Sequence, residues 1–321
     1  MKNAALIGCC TLAALAQAPD AAAQPYPAKP IRLVVGSTPG GTSDILGRIL
    51  ARKLGDALGQ QVVVDNRAGA SGIIGAELVV KSAADGYTLL LTQTSLAINP
   101  SMFARMPYDA LRDLAPISEI VRTGSILVLH PSVPAGTVRE LIALARAKPG
   151  MLVIGSSGSG TQPHLAAELF KVMAHVDMQQ VLYKGAGQAV ISLLAGEVGL
   201  QFPNAPTILQ YVKAGRVRAL GVTTAARMQS LPEIPAIAET LPGYEASQFF
   251  GVLAPAGTPR GIVERLNQEI NRALGAPEMK ERLIAEGAEV VASTPEQFFA
   301  TIKSETEKWA RVIRAAGIKP D

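Results

Sequence analysis

The chain is predicted to be an α/β protein of two domains, and three observations carry that prediction. Strand-like apolar runs alternate with helix patterns along almost the whole length, as they do when helices pack on a sheet. At least four of those runs end in loops of small residues that open the next helix, at 36–44, 155–161, 183–188 and 202–207, and 92–95 is similar. Removal of a short processing segment from the 321 residues leaves about 298, large for one compact core and suited to two.

The elements follow in order. Residues 31–36 are an almost unbroken apolar run, the pattern of a strand buried on both faces. Ile45, Leu46, Ile49, Leu50, Leu54 and Leu58 then recur at helical spacing, which predicts a helix over 43–58. A β-branched strand over 61–65, a helix over 73–81, a turn at Asp85-Gly86 and a buried strand over 87–92 complete the first stretch. Residues 126–129 are apolar, and a proline-containing turn (130–134) stops them before a helix that Thr137 opens. The second half repeats the theme. Strands at 151–155, 181–183, 200–202 and 217–222 alternate with a helix over 163–173, a helix that follows the 184–187 loop and runs to 195, and a helix that follows the 203–207 loop and runs to 213. After several proline-containing turns come an apolar run at 249–254 and helices over 259–275, 278–286 and 295–316. In the last helix Thr294 is the expected N-cap and Pro295 suits the first position.

The loops point to an anion. In an open α/β sheet ligands bind beyond the carboxyl ends of strands, where backbone N–H groups and helix N-termini favour negative charge. The candidate contacts are Pro39, Gly40, Gly41, Thr42, Ser43 and Asp44 in the first loop, and Thr94 and Ser95 in another. The second half offers Ser157, Gly158, Ser159, Gly160, Thr161 and His164, then Tyr183, Lys184 and Gly185, then Pro203 and Asn204. Thr42 and Ser43 are the expected direct donors, whereas Asp44 would oppose a bare carboxylate and suits capping. His164 either reaches the cleft or serves the helix start, and Lys184 either faces the ligand or solvent. For any one loop, a tight turn without ligand is the alternative.

Several chemistries lack their residues. The first loop reads G-S-T-P-G-G-T-S, so Thr42 stands where a nucleotide P-loop needs lysine. Gly155-Ser156-Ser157-Gly158-Ser159 fails the hydrolase elbow, and 158–163 fails the dinucleotide turn at its last position. His130, His164 and His175 have no metal-ligand spacing. No metal and no cofactor are therefore expected. The formal charge of +4 is dispersed and aromatics are only 4%, which argues against nucleic acid and suits small anions.

The N-terminus reads as a signal peptide. Lys2 precedes an apolar stretch over 4–16, and Ala21-Ala22-Ala23-Gln24 supplies an A-x-A cleavage site. The stretch is too short to span a bilayer. Leu6-Ile7-Gly8-Cys9 also resembles a lipobox, with almost no apolar run before it. Cys9 and Cys10 are the only cysteines, so cleavage after Ala23 would leave none.

Ordered short motifs carry a resemblance. They include Tyr26-Pro27-Ala28-Lys29-Pro30-Ile31, Pro39-Gly40-Gly41-Thr42-Ser43-Asp44, Val63-Val64-Asp65-Asn66-Arg67 and Ala84-Asp85-Gly86-Tyr87. His130-Pro131-Ser132-Val133-Pro134, Tyr183-Lys184-Gly185, Ala254-Pro255-Ala256-Gly257-Thr258-Pro259 and Lys308-Trp309-Ala310 continue the set. Together they resemble the Bug family, the substrate-binding proteins of tripartite tricarboxylate transporters. The resemblance spans essentially all of 26–321.

It implies a periplasmic, monomeric solute-binding protein of the type II periplasmic-binding-protein fold. Each domain would be a mostly parallel sheet flanked by helices, with the ligand cleft between. Crossings near 122–126 and 245–250 would divide the chain into a signal peptide (1–23), a discontinuous first domain (24–124 plus 247–321) and a second domain (125–246). Family ligands are small carboxylates held by backbone groups and bridging waters, and membrane permease subunits receive them. Two departures bear on the ligand. Pro203 stands where Asp is frequent, and Phe249 where Trp is frequent. A ligand without an ammonium group is therefore expected. An exported α/β enzyme acting on a small carboxylate, or a ligand sensor partnering a signalling system, are the alternatives.

Overall fold

The computed structural model describes residues 26–40, 42–285 and 287–318. The signal segment with Cys9 and Cys10, the cleavage site at Ala23, and Gly41 of the first loop lie outside the described residues. The first sheet is built from β1 (Ile31–Val35), β2 (Val62–Asn66), β3 (Thr88–Gln93), β4 (Leu114–Thr123), β10 (Gln248–Pro255) and β11 (Ala288–Val290). Its helices are α1 (Thr42–Leu58), α2 (Ile73–Val80), α3 (Ser95–Met102), α4 (Ala110–Asp113), α9 (Arg260–Gly275), α10 (Pro277–Ala285) and α11 (Pro295–Ala315). The second sheet contains β5 (Ile126–Leu129), β6 (Val153–Ser156), β7 (Gln179–Leu182), β8 (Leu200–Gln201) and β9 (Arg218–Val222). Around it lie α5 (Val138–Ala147), α6 (Gln162–Ala174), α7 (Ala186–Leu194) and α8 (Ala205–Lys213).

Strand order is β11-β4-β10-β3-β1-β2 in the first sheet and β7-β6-β8-β5-β9 in the second. Most strands in each sheet point the same way, but both sheets are mixed. In the first, β10 runs against β3 and β4, and β11 against β4. In the second, β5 runs against β8 and β9. The reversal of β5 and β10 follows from connectivity. Each is the strand delivered by a crossing, so it starts at the edge where its neighbours end. The carboxyl ends of β1, β3 and β4 therefore lie along one edge, facing the carboxyl ends of β6, β7, β8 and β9.

Alternation along the strands sorts the core into layers. Ile31, Leu33 and Val35 pack with Leu50, Leu54, Leu266 and Ile270, on the side of α1 and α9. Val34 and Leu90 face the other side, with Ile73, Phe298 and Ile302. In β5, Ile126 and Val128 pack with Val190 and Ile208. Leu127 and Leu129 face Leu141, Leu165 and Phe170. Trp309, Val312 and Ile313 of α11, with Ile98 and Met102 of α3, join this last layer. Two helices, α3 and α11, are thus rooted in both cores.

The structure adds elements that the pattern did not announce. β4 reads Leu-Ala-Pro-Ile-Ser-Glu-Ile-Val-Arg-Thr, and Pro116, Glu119 and Arg122 hide its strand character. Pro116 cannot donate to a ladder, and the register against β10 shifts beside it, between Val252 and Leu253. β11, of three residues, and α3, with Pro100 inside it, were also unannounced. Gly251 of β10 is required by packing: a Cβ there would overlap the Phe298 ring.

Candidate functional site

Two sets of loops face each other across the gap between the sheet edges. On the first sheet, Gly36 lies against Gly72, where a Cβ on Gly36 would come within 3.0 Å of the Gly72 Cα. Asp44 closes the first loop. Its carboxylate accepts from Gly40 N at 2.9 Å and pairs with Arg48 at 3.0 Å. Burial pushes the Asp44 pKa up, but the hydrogen bonds from Arg48 and Gly40 outweigh it and hold the carboxyl below the usual range. Ser43 is buried and donates to Gln93 Oε1 at 3.0 Å. Pro39 and Gly40 are exposed, and Thr42 is half-buried. Thr94 is fully buried, and its hydroxyl accepts from Phe249 N at 2.9 Å. Its side chain therefore serves the core, whereas Ser95 is partly exposed beside Gly72.

On the second sheet Thr161 caps α6, and its hydroxyl donates to Gly158 O at 2.8 Å. Ser157 is 3.4 Å from the same hydroxyl, and Ser159 is exposed. His164 Nδ1 accepts from Gly160 N at 3.1 Å, which makes Nε2 the protonated nitrogen of the neutral ring. Burial, with Lys171 nearby, lowers the His164 pKa against the opposing pull of Glu168. His164 thus shapes the loop from within, its ring nearly buried. The Tyr183 carbonyl approaches Gly158, so the 156–161 and 183–188 loops adjoin. Lys184 is exposed. Pro203 is buried, with its carbonyl accepting from Ile126 N at 2.9 Å. Asn204 Oδ1 lies 3.2 Å from the Ser125 hydroxyl.

Capping of helix starts does not follow location alone, since α6 starts at the gap and is capped by Thr161. α4, α5 and α11 are capped by Asp109, Thr137 and Thr294. α3, α7 and α8, which start at the gap, have no side-chain cap. The first N–H groups of α3 and α7 are available to an anion. α8 has none to spare: Ala205 N donates to Gly124 O at 3.1 Å, Pro206 has no N–H and Thr207 N donates to Asn204 O at 3.0 Å. α9, away from the gap, is also uncapped. The arrangement can hold a carboxylate by backbone donors without neutralising it by a buried cation.

Sequence reasoning missed the 69–72 loop, although it carries the same small-residue signal. Gly69, Ala70, Ser71 and Gly72 all have positive φ, at 137°, 43°, 52° and 90°. Asn99 Nδ2 holds this loop by donating to Ser71 O at 3.2 Å. Beneath it Gln93, Ser95, Asn99 and Tyr108 line a small space. Asn99 Oδ1, Tyr108 OH and Ser37 Oγ are buried there or nearby without a partner among the described residues. A second, larger cavity of about 720 Å³ lies on the opposite flank of the crossings. Arg122, Met228, Glu245, Lys280 and Ile284 are among its walls.

Known proteins share this architecture. BugT of Bordetella pertussis is 41% identical over 300 residues, covering 92% of each chain. The R. palustris protein Rpa4515, solved with adipate, superposes with a TM-score of 0.84 at 38% identity. It is matched over its whole length by 92% of this chain. MatC from Rhodopseudomonas palustris, with bound malate, gives a TM-score of 0.79 at 25% identity, covering 90% of this chain and all of its own. The tripartite tricarboxylate transporter family receptor profile, TctC, matches residues 46–318, and the chain belongs to that family.

Proposed function

We propose that the chain is an exported receptor. It captures a small carboxylate without an ammonium group between 24–124 plus 247–321 and 125–246, and passes it to membrane permease subunits. The observation that carries this reading is the pair of uncapped helix starts, α3 and α7, together with the small-residue loops at the facing sheet edges. Relatives solved with adipate and malate support the ligand class. The site is proposed to bind rather than transform, because its polar side chains are committed to holding loops. Export would be by cleavage between Ala23 and Gln24. Mass spectrometry of the secreted chain tests that, and a chain beginning at acylated Cys9 would refute it.

The absence of an ammonium follows from charge. Asp44 is the acidic residue of these loops, and Gly40 and Arg48 already occupy it. Pro203 offers neither a carboxylate nor an N–H. A buried ammonium would lack a partner, which costs several kcal/mol. Calorimetry with adipate, succinate, glutarate, malate, aspartate and glutamate tests both claims. Dicarboxylates should bind at least as tightly as the amino acids. In a thermal-shift screen, a ligand at 100 times its Kd should add roughly 2.7 kcal/mol. If none of the acids binds, the carboxylate assignment fails. If aspartate binds more than about tenfold tighter than succinate, the charge argument fails. Turnover of a bound acid would favour an enzyme.

A further inference from the structure

Gln162 is the first residue of α6, directly after the loop that carries Ser157 to Thr161. It is only 4% exposed. Its amide reaches both crossings. Gln162 Oε1 accepts from the Ser125 hydroxyl at 2.9 Å, and Gln162 Nε2 donates to the Ala246 carbonyl. Thr223 at the end of β9 fastens the crossings to each other. Thr223 N donates to Ser125 O at 2.9 Å and Ser125 N to Thr223 Oγ1 at 2.8 Å. The Thr223 hydroxyl then donates to Ala246 O at 2.9 Å, and Ala246 N to Thr223 O at 2.9 Å.

The Ser125 hydroxyl has a second amide within reach. Asn204 Oδ1 is 3.2 Å away. A hydroxyl carries one proton, so it serves one amide oxygen fully at a time. Asn204 is part-exposed at the start of α8, in another of the cleft loops. Whatever orients the Asn204 amide therefore alters what Ser125 offers to Gln162.

We propose that Gln162 is a positioning residue that couples the cleft loops to both crossings, so that the arrangement of the two sheets and ligand affinity change together through its amide. The affinity part rests on the carboxylate-receptor reading above. The positional part does not. Buried amide networks of this kind hold one geometry because any other leaves polar atoms unpaired.

Residues 26–321 contain no cysteine, so two can be introduced as spin-label sites. Asp56 on α1 and Arg139 on α5 are exposed and on opposite sheets. With D56C and R139C as background, Q162L removes the amide at similar volume. L141A, a cavity in the second core, is the control for lost stability alone. Q162L should broaden the label distance distribution without ligand, and L141A should not. S125A should act like Q162L, and the double variant should add little. With adipate as probe, Q162L should weaken binding about tenfold, the scale of one or two lost hydrogen bonds. An unchanged distance distribution in Q162L overturns the proposal, as does broadening in L141A to the same extent. If the parent chain fails to bind adipate, the affinity part falls with the receptor reading, and the distances still decide the positional part.

Discussion

At single residues, the cleft is held by clips whose loss has definite consequences. Asp44→Ala removes a charged acceptor from Gly40 and an ion partner from Arg48. Hydrogen bonds to charged groups contribute about 1.5–3 kcal/mol, and Asp44 is buried, so thermal denaturation should show a loss of that order. Asp44→Asn keeps an acceptor for Gly40 and should lose less. Ser71 has φ 52° and is not glycine, an unfavourable backbone worth about 1–2 kcal/mol. Ser71→Gly removes that strain and loosens the unfolded chain, so the net gain should stay under about 1 kcal/mol. His164 gives a pH signature. Its folded pKa lies below its ordinary value, so the folded state resists a proton that the unfolded state accepts. Stability should therefore be full above about pH 6.5 and fall as pH drops below it. His164→Gln should flatten that part of a melting-temperature profile. An unchanged slope would assign it to other groups. Loops of Gly, Ser and Thr are legible because their chemistry is local. The partners of Gln162 are 37 and 84 residues away, and no spacing rule points to them.

At the scale of elements, β4 and α11 show where sequence patterns fail. β4 carries Glu119 and Arg122 into the interior, where a strand pattern calls for apolar residues. They are tolerated because α11 completes their pairing. Arg122 lies 2.6 Å from Glu119 and 3.6 Å from Glu305, and Thr301 donates to Glu119 at 2.9 Å. Trp309 Nε1 donates to Glu305 at 2.8 Å. These partners come from 180 residues downstream, so β4 looked irregular in isolation while β1, apolar by itself, did not. Arg122→Ala would leave the buried Glu119 carboxylate without its cation, which costs about 3–5 kcal/mol, while Glu305 keeps Lys308 at 2.9 Å. The sign with pH is specific. Burial already raises the Glu119 pKa against the pull of Arg122, and losing Arg122 raises it further. A raised carboxyl favours the folded state in acid and loses that advantage as pH climbs through its folded value. The deficit of Arg122→Ala should therefore be smaller near pH 4 than at pH 7, as chemical denaturation at the two values would show. Trp309→Ala empties a fully buried site in the second core and should cost about 3–5 kcal/mol. Because α11 also packs Phe298 and Ile302 into the first core, unfolding should remain a single transition.

For the whole molecule, the proposed crossings would act as an axis with a cleft on each flank. On one flank are the loops of β1, β3, β6, β7 and β8. On the other is the cavity bounded by α10, β11 and residues 224–230. Met228 sits at that rear side, near where a Cβ would fall on either Gly124 or Gly287. A rotation that brings the front loops together widens the rear, and one that opens the front narrows it. Clefts joined by such connections commonly close on ligand by hinge motion. A side chain that fills the rear cavity should then penalise front opening and leave front closure free. Ala226 is exposed and lines this cavity, so Ala226→Trp is the variant of choice. It touches none of the candidate ligand loops, so any change in affinity must come from the balance between arrangements. A ligand shifts that balance only by its differential affinity, and a bias of about 1 kcal/mol changes apparent Kd roughly fivefold. Adipate should bind Ala226→Trp a few-fold more tightly in calorimetry. Scattering should show the ligand-free variant already nearer the radius of gyration of the ligand-saturated parent. Weaker binding, or an unchanged ligand-free radius, would mean that the crossings are not the axis of motion.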